Sequence, residues 1–474
     1  MKSSLINPIL KLAKPYYCEL TRFLHFHPQT PEGENHRPIP TIENALYALA
    51  LCRSHERDEV IKGLALIDSI LPFQIRDGSF PCYLHQYPTN LDGLIGLDLL
   101  PSFYWILHDY HSVLGAQRSA ALRASAEKLL KFTQERMDEI APPPHLKQIY
   151  GIIQSAFGSL WNDSALENRG NSLLATVQGI DSLLWKERYT PDVIGRIALI
   201  SEMVGTNPLL KEAIIASWHP NLNRYVGPIY RGTFHEGEMV LSLVDLLFGQ
   251  INRTPKHNSH LPTILRGVWL KEVWSKLPST DSNVEQTIHS GPHGVIWSGS
   301  DYAIAAFDGA ESIEPSQASQ FFPLQYFWST PHSEHSFVLQ GPTHSIHPKK
   351  EGNILRFEID LPEELPEDDR EKSYELNFFI TRTSNLTFNV AEGKSTTFHL
   401  NEKIQFVTPT HSCTVKINLL SGSGRFIGHI MRGNRPSESG AKGSKRYEAW
   451  DWNLILRTLE RDIACRLAVE IEFN

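Results

Sequence analysis

The stretch Leu94-Ile-Gly-Leu-Asp-Leu-Leu-Pro-Ser-Phe-Tyr-Trp-Ile-Leu-His108 is apolar on nearly every side. A few residues later the chain continues as Ala116–Asp138, AQRSAALRASAEKLLKFTQERMD, in which Leu122, Ala126, Leu129, Leu130 and Met137 recur at helical spacing with charges opposite them. A helix that is hydrophobic all round is buried on all sides, whereas one with a single apolar stripe covers something. The two segments therefore read as an inner helix and an outer helix laid against it. Ile42–Arg53 and Met239–Gly249 are further segments of the inner kind. Alternation of the two kinds between about residues 40 and 275 is the pattern of an α/α toroid of about five or six helix pairs.

Near Pro278–Asn283 the period changes from 3.6 to 2. Gly294–Phe307, Ser336–Gly341, Asn353–Leu361, Tyr374–Arg382, Leu386–Gly393, Ser412–Ser421, Gly424–Ile430 and Ile463–Phe473 all read as strands parted by turn residues. The expected fold class is multidomain α plus β: an incomplete α/α toroid over residues 1–280, then an antiparallel β-sandwich over 281–474. The acidic run Glu363–Glu371 and the Gly/Ser-rich Gly433–Ser444 read as loops within the sandwich.

The 474 residues are 41% hydrophobic and 21% charged, the balance of a water-soluble globular chain. A formal charge of -8 disfavours a general nucleic-acid binder. The amino-terminal MKSSLINPILKLAKPYY is broken at Asn7 and Pro8 and does not read as a secretion signal, and no window reaches the length of an apolar membrane span. Cys18, Cys52, Cys82, Cys413 and Cys465 are odd in number, scattered and without CxxC spacing. Reduced thiols and a cytoplasmic location are the expectation.

The densest collection of proton-handling side chains is Arg224–Glu238, RYVGPIYRGTFHEGE, which carries Tyr225, Tyr230, Arg231, His235, Glu236 and Glu238 immediately before an apolar run. Its His-Glu-Gly-Glu is not a zincin helix, because position 239 is Met where the second His ligand is needed. Thr233 with Glu236 reads as a capping box on the helix that follows. That accounts for the glutamate but not for the tyrosines, Arg231 or His235. Trp218–Asn223 adds His219 and Asn223 to the same segment, although Asn-Leu-Asn is also ordinary turn chemistry.

A second patch, Asp77–Gly93, also runs into an inner helix and carries Tyr83, His85, Gln86, Tyr87, Asn90 and Asp92, the last two being equally good turn or capping residues. Leu160–Asn171, with Trp161, Asn162, Asn168 and Arg169, reads as a loop. His332 and His335 are three apart and do not share a strand face, so no metal site is expected there, nor at His344 and His347. Trp328, Tyr447, Trp450 and Trp452 fit a sandwich core better than a sugar-stacking platform. Nucleotide loops and the G-x-S-x-G elbow are missing from the sequence.

Gln74-Ile-Arg-Asp-Gly-Ser-Phe80 is similar to the motif that punctuates α/α barrels of terpene cyclases and prenyltransferases, without the acid clusters those enzymes use. Over its whole length, and in its ending Tyr447–Phe473, the chain resembles heparinase II/III-like polysaccharide lyases, an α/α toroid followed by antiparallel sheets. The resemblance implies β-elimination on uronic-acid-containing glycans, with a Tyr, often helped by a His, as base and acid, while Asn, His, Gln, Glu or Arg neutralises the uronate. Tyr225, Tyr230, His235, Tyr83 and His85 are then the catalytic candidates. Arg231, His219, Asn223, Glu236, Gln86, Tyr87 and Asn90 are the substrate-binding candidates. The implied partner is an acidic oligo- or polysaccharide, with no cofactor, metal or nucleic acid. Two rivals stay open: a saccharide- or protein-binding relative without catalysis, and a glycoside hydrolase pairing Asp77 or Asp92 with Glu236 or Glu238 across the cleft.

Overall fold

A computed structural model of the chain describes residues 5–27, 38–176, 191–227, 241–251, 261–274, 286–291, 294–307, 324–329, 334–339, 348–361, 374–381, 386–391, 393–408, 411–436, 450–461 and 463–473. It divides into two compact units, one of Met1–Ile180, Pro191–Ile214 and Leu241–Ser275, the other of Asp181–Thr190, Ile215–Val240 and Lys276–Asn474.

The helices are α1 (Ile6–Ala13), α2 (Thr41–Arg53), α3 (Arg57–Ile70), α4 (Gly96–Asp109), α5 (His111–Glu139), α6 (Pro144–Trp161), α7 (Ser164–Thr176), α8 (Pro191–Ser201), α9 (Pro208–Ala216), α10 (Leu243–Leu247) and α11 (Leu261–Arg266). In the first unit α2, α4, α6, α8, α10 and α11 each pack on the next, and α11 returns to α2, closing a ring. On the outside α3 packs on α2, α5 on α4 and α7 on α6. Burial follows the sequence pattern: every residue of α2 from Asn44 to Arg53 is buried, whereas α3 buries only Gly63, Leu64, Leu66, Ile67 and Ile70. Among the described residues no outer helix lies between α10 and α11.

The inner helices run in one direction. Arg266, the last residue of α11, reaches Asp98 in the first turn of α4, and the next turn of chain donates Trp269 Nε1–H to Ser102 Oγ at 3.1 Å. Farther along, the carbonyls of Val268 and Leu270 accept from Arg53, the last residue of α2. The inner helices therefore share one direction: α2, α4 and α8 begin at one end of the ring and finish at the other, while the short α11 ends beside their first turns and its chain continues in the same sense through Trp269 and Leu270. Glycines let the layers meet at backbone distance: a Cβ on Gly158 would strike Glu167 N and one on Gly170 would strike Ser155 N, so α6 and α7 are in direct main-chain contact.

The first unit also holds the short pair β1 (Tyr17–Cys18) and β2 (Phe23–Leu24). The second unit begins its described strands with the pair β3 (Trp218–His219) and β4 (Arg224–Tyr225). It continues with β5 (Gln286–Gly291), β6 (Gly294–Ser298), β7 (Tyr302–Phe307), β8 (Leu324–Ser329), β9 (Glu334–Leu339), β10 (Lys349–Glu351), β11 (Ile354–Leu361) and β12 (Tyr374–Thr381). The rest are β13 (Thr387–Val390), β14 (Thr397–Phe398), β15 (Lys403–Val407), β16 (Ser412–Ser421), β17 (Gly424–Pro436), β18 (Trp450–Arg461) and β19 (Cys465–Phe473). Two sheets form, in the orders β14-β17-β18-β12-β9-β8-β7-β6-β5 and β10-β11-β19-β16-β15-β13. Every strand pairing among the described residues of these sheets is antiparallel.

Alternation directs one face of each sheet into a shared core: Phe357 and Ile359 of β11 and Val469 and Ile471 of β19 meet Trp297, Tyr326, Phe337, Phe378 and Leu454. Phe337 stacks on Phe378 at 5.3 Å and touches Phe406 of the other sheet at 5.1 Å. The second face of the nine-stranded sheet is buried as well, as Gln325, Ser336 and Val338 at 1% exposure show. Part of its cover is Arg224, whose guanidinium lies 3.5 Å above the Phe327 ring.

Three expectations change. In the run read as an inner helix from Met239 to Gly249, the described residues Leu241 and Ser242 precede the helix, which starts at Leu243, where Ser242 Oγ accepts from Asp245 N–H and the Asp245 carboxylate accepts from Ser242 N–H. The capping box of this helix is thus Ser242–Asp245, and Thr233 and Glu236 lie outside the described residues. Leu160–Asn171 is mainly helix rather than loop, because Asp163 accepts from Ala165 and Leu166 N–H and starts α7 at once. Finally, β17 carries the backbone of Gly433–Pro436, taken for loop, on as strand.

Candidate functional site at the start of the inner helices

The end of the ring where the inner helices begin is ionisable and aromatic together. Asn44 fixes its floor: the side chain accepts from Leu24 N–H at 2.7 Å and donates to the carbonyls of Leu24 and Pro40, tying β2 to the start of α2. Thr41 N–H donates to Cys82 O, Leu84 N–H to Ile39 O and Phe26 N–H to Pro38 O, which lays three extended segments side by side. His27, Tyr83 and His85 are brought together on them, with Tyr83 5.7 Å from His85 in a stacked pair and 5.9 Å from His27. Gln86 accepts from Tyr83 N–H at 3.1 Å and sets the turn that carries His85.

Beside this aromatic group lie the first turns of α2, α4 and α8 and the end of α11. Asp98 Oδ1 sits 3.2 Å from both Arg196 and Arg266. Burial alone would raise the Asp98 pKa, but the two guanidinium groups outweigh it and hold the carboxyl below its usual range. Glu43 is treated differently: burial raises its pKa, Arg266 opposes and Asp98 reinforces, and the net shift is upward. Asp192 accepts from Leu243 N–H at 3.0 Å, yet burial raises its pKa too, with Asp245 adding to the effect. Burial, and then Arg196, lowers the pKa of His145 in the first turn of α6. Tyr83 is raised by burial first and by Glu43 second, so its hydroxyl is protonated at neutral pH. This end of the ring therefore holds two guanidinium groups, one carboxyl whose pKa is lowered and two whose pKa is raised. Inner-helix N-termini add positive partial charge.

The sequence-derived candidates are spread over both units. Tyr83 and His85 stand at this end, Tyr83 part-buried and His85 exposed. Tyr87 is 48% exposed and lies edge-on to Phe73. Asn90 donates to Asp92 O and accepts from Asp92 N–H, and Asp92 accepts from Leu94 N–H, so both are occupied in the turn before α4. Asp77 is likewise occupied by the N–H and hydroxyl of Ser79. In the second unit His219 is buried with both ring nitrogens engaged, Nε2 at 2.9 Å from Gly299 O and Nδ1 accepting from Leu222 N–H. Asn223 has a left-handed backbone, φ 50°. Tyr225 is 4% exposed, and its burial raises its pKa; its hydroxyl packs where a Cβ on Gly227 would lie. Tyr230, Arg231, His235, Glu236 and Glu238 lie outside the described residues, as do His332, His344, His347 and Tyr447.

The residues missed from sequence are His27, Glu43, Asp98, His145, Asp192, Arg196 and Arg266. A signal was present: Asp98 in LIGLDLLP, Glu43 in TIENALYALAL and Arg196 in DVIGRIALI are lone charges in otherwise apolar inner helices, and charges in such places need partners. Among the described residues no group of three or more His, Cys, Asp or Glu is arranged to hold a metal ion.

No protein-family model matches the sequence, and no curated protein matches it. In structure the chain is similar to heparinase III, with a TM-score of 0.44 and 8% identity over 100% of this chain and 85% of that one. It is also similar to a chondroitin AC lyase of Streptomyces coelicolor A3 in complex with chondroitin sulphate, with a TM-score of 0.45 and 9% identity over 99% and 79% of the two chains. These are similarities of architecture, helices followed by antiparallel sheets.

Proposed function

We propose that the protein binds acidic polysaccharide at the end of the ring where the inner helices begin, and cleaves it by β-elimination beside a uronate. The meeting of Arg196 and Arg266 at the helix starts carries this reading. The two guanidinium groups converge on Asp98 at 3.2 Å in a setting of helix N-termini. A uronate carboxylate entering there meets the same guanidinium groups and helix starts. Abstraction of the neighbouring proton then builds enolate-like charge, for which donors already in position are worth more than mobile ones. Because Tyr83 is protonated at neutral pH, its role is to donate to the leaving oxygen, and the exposed His85 takes the proton. Tyr225, Tyr230 and His235 remain catalytic candidates in this proposal. Arg231, His219, Asn223, Glu236, Gln86, Tyr87 and Asn90 remain candidates for saccharide contact.

The test is incubation with a panel of uronate polysaccharides, following the ultraviolet absorbance of unsaturated uronate and, in parallel, new reducing ends. Both should rise together. A second reading, hydrolysis, is favoured by one observation: Glu43 and Asp98 are neighbouring carboxyls whose environments push their pKa values apart, as an acid and its partner require. Reducing ends without unsaturation would select it. Saccharide binding with neither product would select the non-catalytic relative.

A further inference from the structure

In the first unit α5 packs on α4 and α7 on α6, and a groove of about 290 Å³ opens between the two pairs. Inner helix α6 floors it with Tyr150 and Gln154, at 1% and 2% exposure, and the half-buried Trp161 stands at its end. None of the lining residues belongs to the site above. We propose that the groove binds one anionic sugar residue, with its carboxylate or sulfate ester on Arg169. The proposal goes beyond the elimination reading and does not depend on it.

The hydrogen-bonding groups of the groove define the ligand. Its acceptors are engaged. Gln134 Oε1 accepts from Gln154 Nε2–H at 2.8 Å and from the Tyr150 hydroxyl at 3.3 Å. Glu127 accepts from Arg123 at 2.9 Å, and Asp163 accepts from Ala165 and Leu166 N–H. Donors are left over. Gln134 Nε2 gives one hydrogen to Asp138 at 2.7 Å and keeps a second. Arg123 has Glu127 and Lys131 has Glu135 at 3.9 Å, but Arg169 has no hydrogen bond or ion pair among the described residues. Because α6 finishes and α7 starts beside the groove, their end charges offset one another, and the spare guanidinium decides the sign. An anion is favoured, and the walls indicate its carrier. Apolar Leu130, Leu166 and the Trp161 indole, with Arg123 at 5.2 Å from its centre, alternate with the polar groups, a mixed surface that matches the C–H and hydroxyl groups of a sugar. The volume is at the lower end for a small-molecule site, which limits the ligand to about one ring.

Fluorine NMR of the full chain labelled with 5-fluorotryptophan tests this, the Trp161 line being assigned by its loss in Trp161→Phe. Glucuronate, glucose 6-sulfate or both should move that line saturably, the first naming a uronate and the second a sulfated sugar. Glucose and inorganic sulfate should each bind at least about tenfold more weakly. Arg169→Gln, at an exposed position, should weaken binding of the anionic sugar at least about fivefold while circular dichroism stays that of the wild type. The Trp161 line reports this groove alone, so the result is the same whether or not polysaccharide is cleaved elsewhere on the chain. The proposal is overturned if neither anionic sugar moves the line, if glucose or inorganic sulfate binds as tightly, or if folded Arg169→Gln binds as wild type does.

Discussion

Acid should destabilise the second unit through His335. This residue stands directly opposite Trp328 in the β8–β9 pair, at 4% exposure, and its ring stacks on the indole at 5.3 Å and 18°. Trp328 in turn stacks on Tyr326 at 4.6 Å. Burial, followed by the proximity of His411, lowers the His335 pKa from 6.5 to about 4. His411, 3.6 Å from Asp301, is also lowered by burial, with Asp301 opposing. The sign follows from proton counting. Between pH 6.5 and 4 the unfolded chain binds a proton at this position and the folded chain does not, so stability falls as pH falls. Above pH 6.5 both states are neutral and no stability is lost. At pH 5 the loss from His335 is about 2 kcal/mol. Urea denaturation read by hydrogen exchange of β8 and β9 amides, at pH 7 and pH 5, measures it. His335→Phe preserves an aromatic partner for Trp328 but cannot ionise, so it should reduce the pH dependence by about 2 kcal/mol, leaving the smaller shares of His411 and His219. If wild type and variant lose the same stability between the two pH values, the imidazole is not held neutral by its burial and the reasoning fails.

Asp98→Asn leaves Arg196 and Arg266 facing each other without their shared carboxylate, and should cost about 3 kcal/mol in denaturant unfolding at pH 7. Gly170→Ala forces α7 away from the Ser155 main chain and should destabilise by about 1–3 kcal/mol, seen as a lowered Tm. Ser242→Ala removes the acceptor for Asp245 N–H and should cost about 1 kcal/mol in the same melt. If the elimination reading is right, Tyr83→Phe and His85→Ala should each lower turnover by at least about a hundredfold while the melting temperature stays near that of wild type.

The order of elements was legible because burial is written in periodicity. Leu94–His108 is apolar on all sides and becomes α4 within two residues, and the strict alternation of Ile354–Leu361 becomes β11. The pattern fails where it carries two meanings. β8, LQYFWS, is buried on both faces, so it shows no alternation and was not read as a strand. Leu241 and Ser242 share the apolar texture of the residues that follow, and only the Ser242–Asp245 spacing separates cap from helix. The motif Gln74–Phe80 proved legible as a fold marker for a local reason. Gln74 donates to both Gly78 O and Ser125 O, Gly78 has φ 95° with no room for a Cβ against Lys128 O, and Phe80 packs edge-on to Phe103. The ionisable group was less legible because it joins residues far apart in the chain, Arg266 and Asp98 being 168 positions apart. Local crowding drew attention to Asn90 and Asp92, which turn out to be occupied in their own turn.

The inner helices explain why the two ends of one ring differ in chemistry. In an antiparallel bundle each end mixes helix starts and finishes, and the dipoles largely cancel. In this ring the return helices α3, α5 and α7 are displaced to the outside, so starts gather at one end and finishes at the other. The dipole alone should draw acids to the first turns and stabilise them as anions. Acids are there, in Glu43, Asp98 and Asp192, but only Asp98, with its two arginines, is held below its usual pKa. For Glu43 and Asp192 burial overrides helix starts and nearby cations together. Two buried carboxyls are a cost to folding that packing does not require, since apolar residues would fill the same positions more cheaply. Such a cost is expected where a ligand or a proton transfer uses it, and it is the physical reason for placing the saccharide at the starting end of the ring.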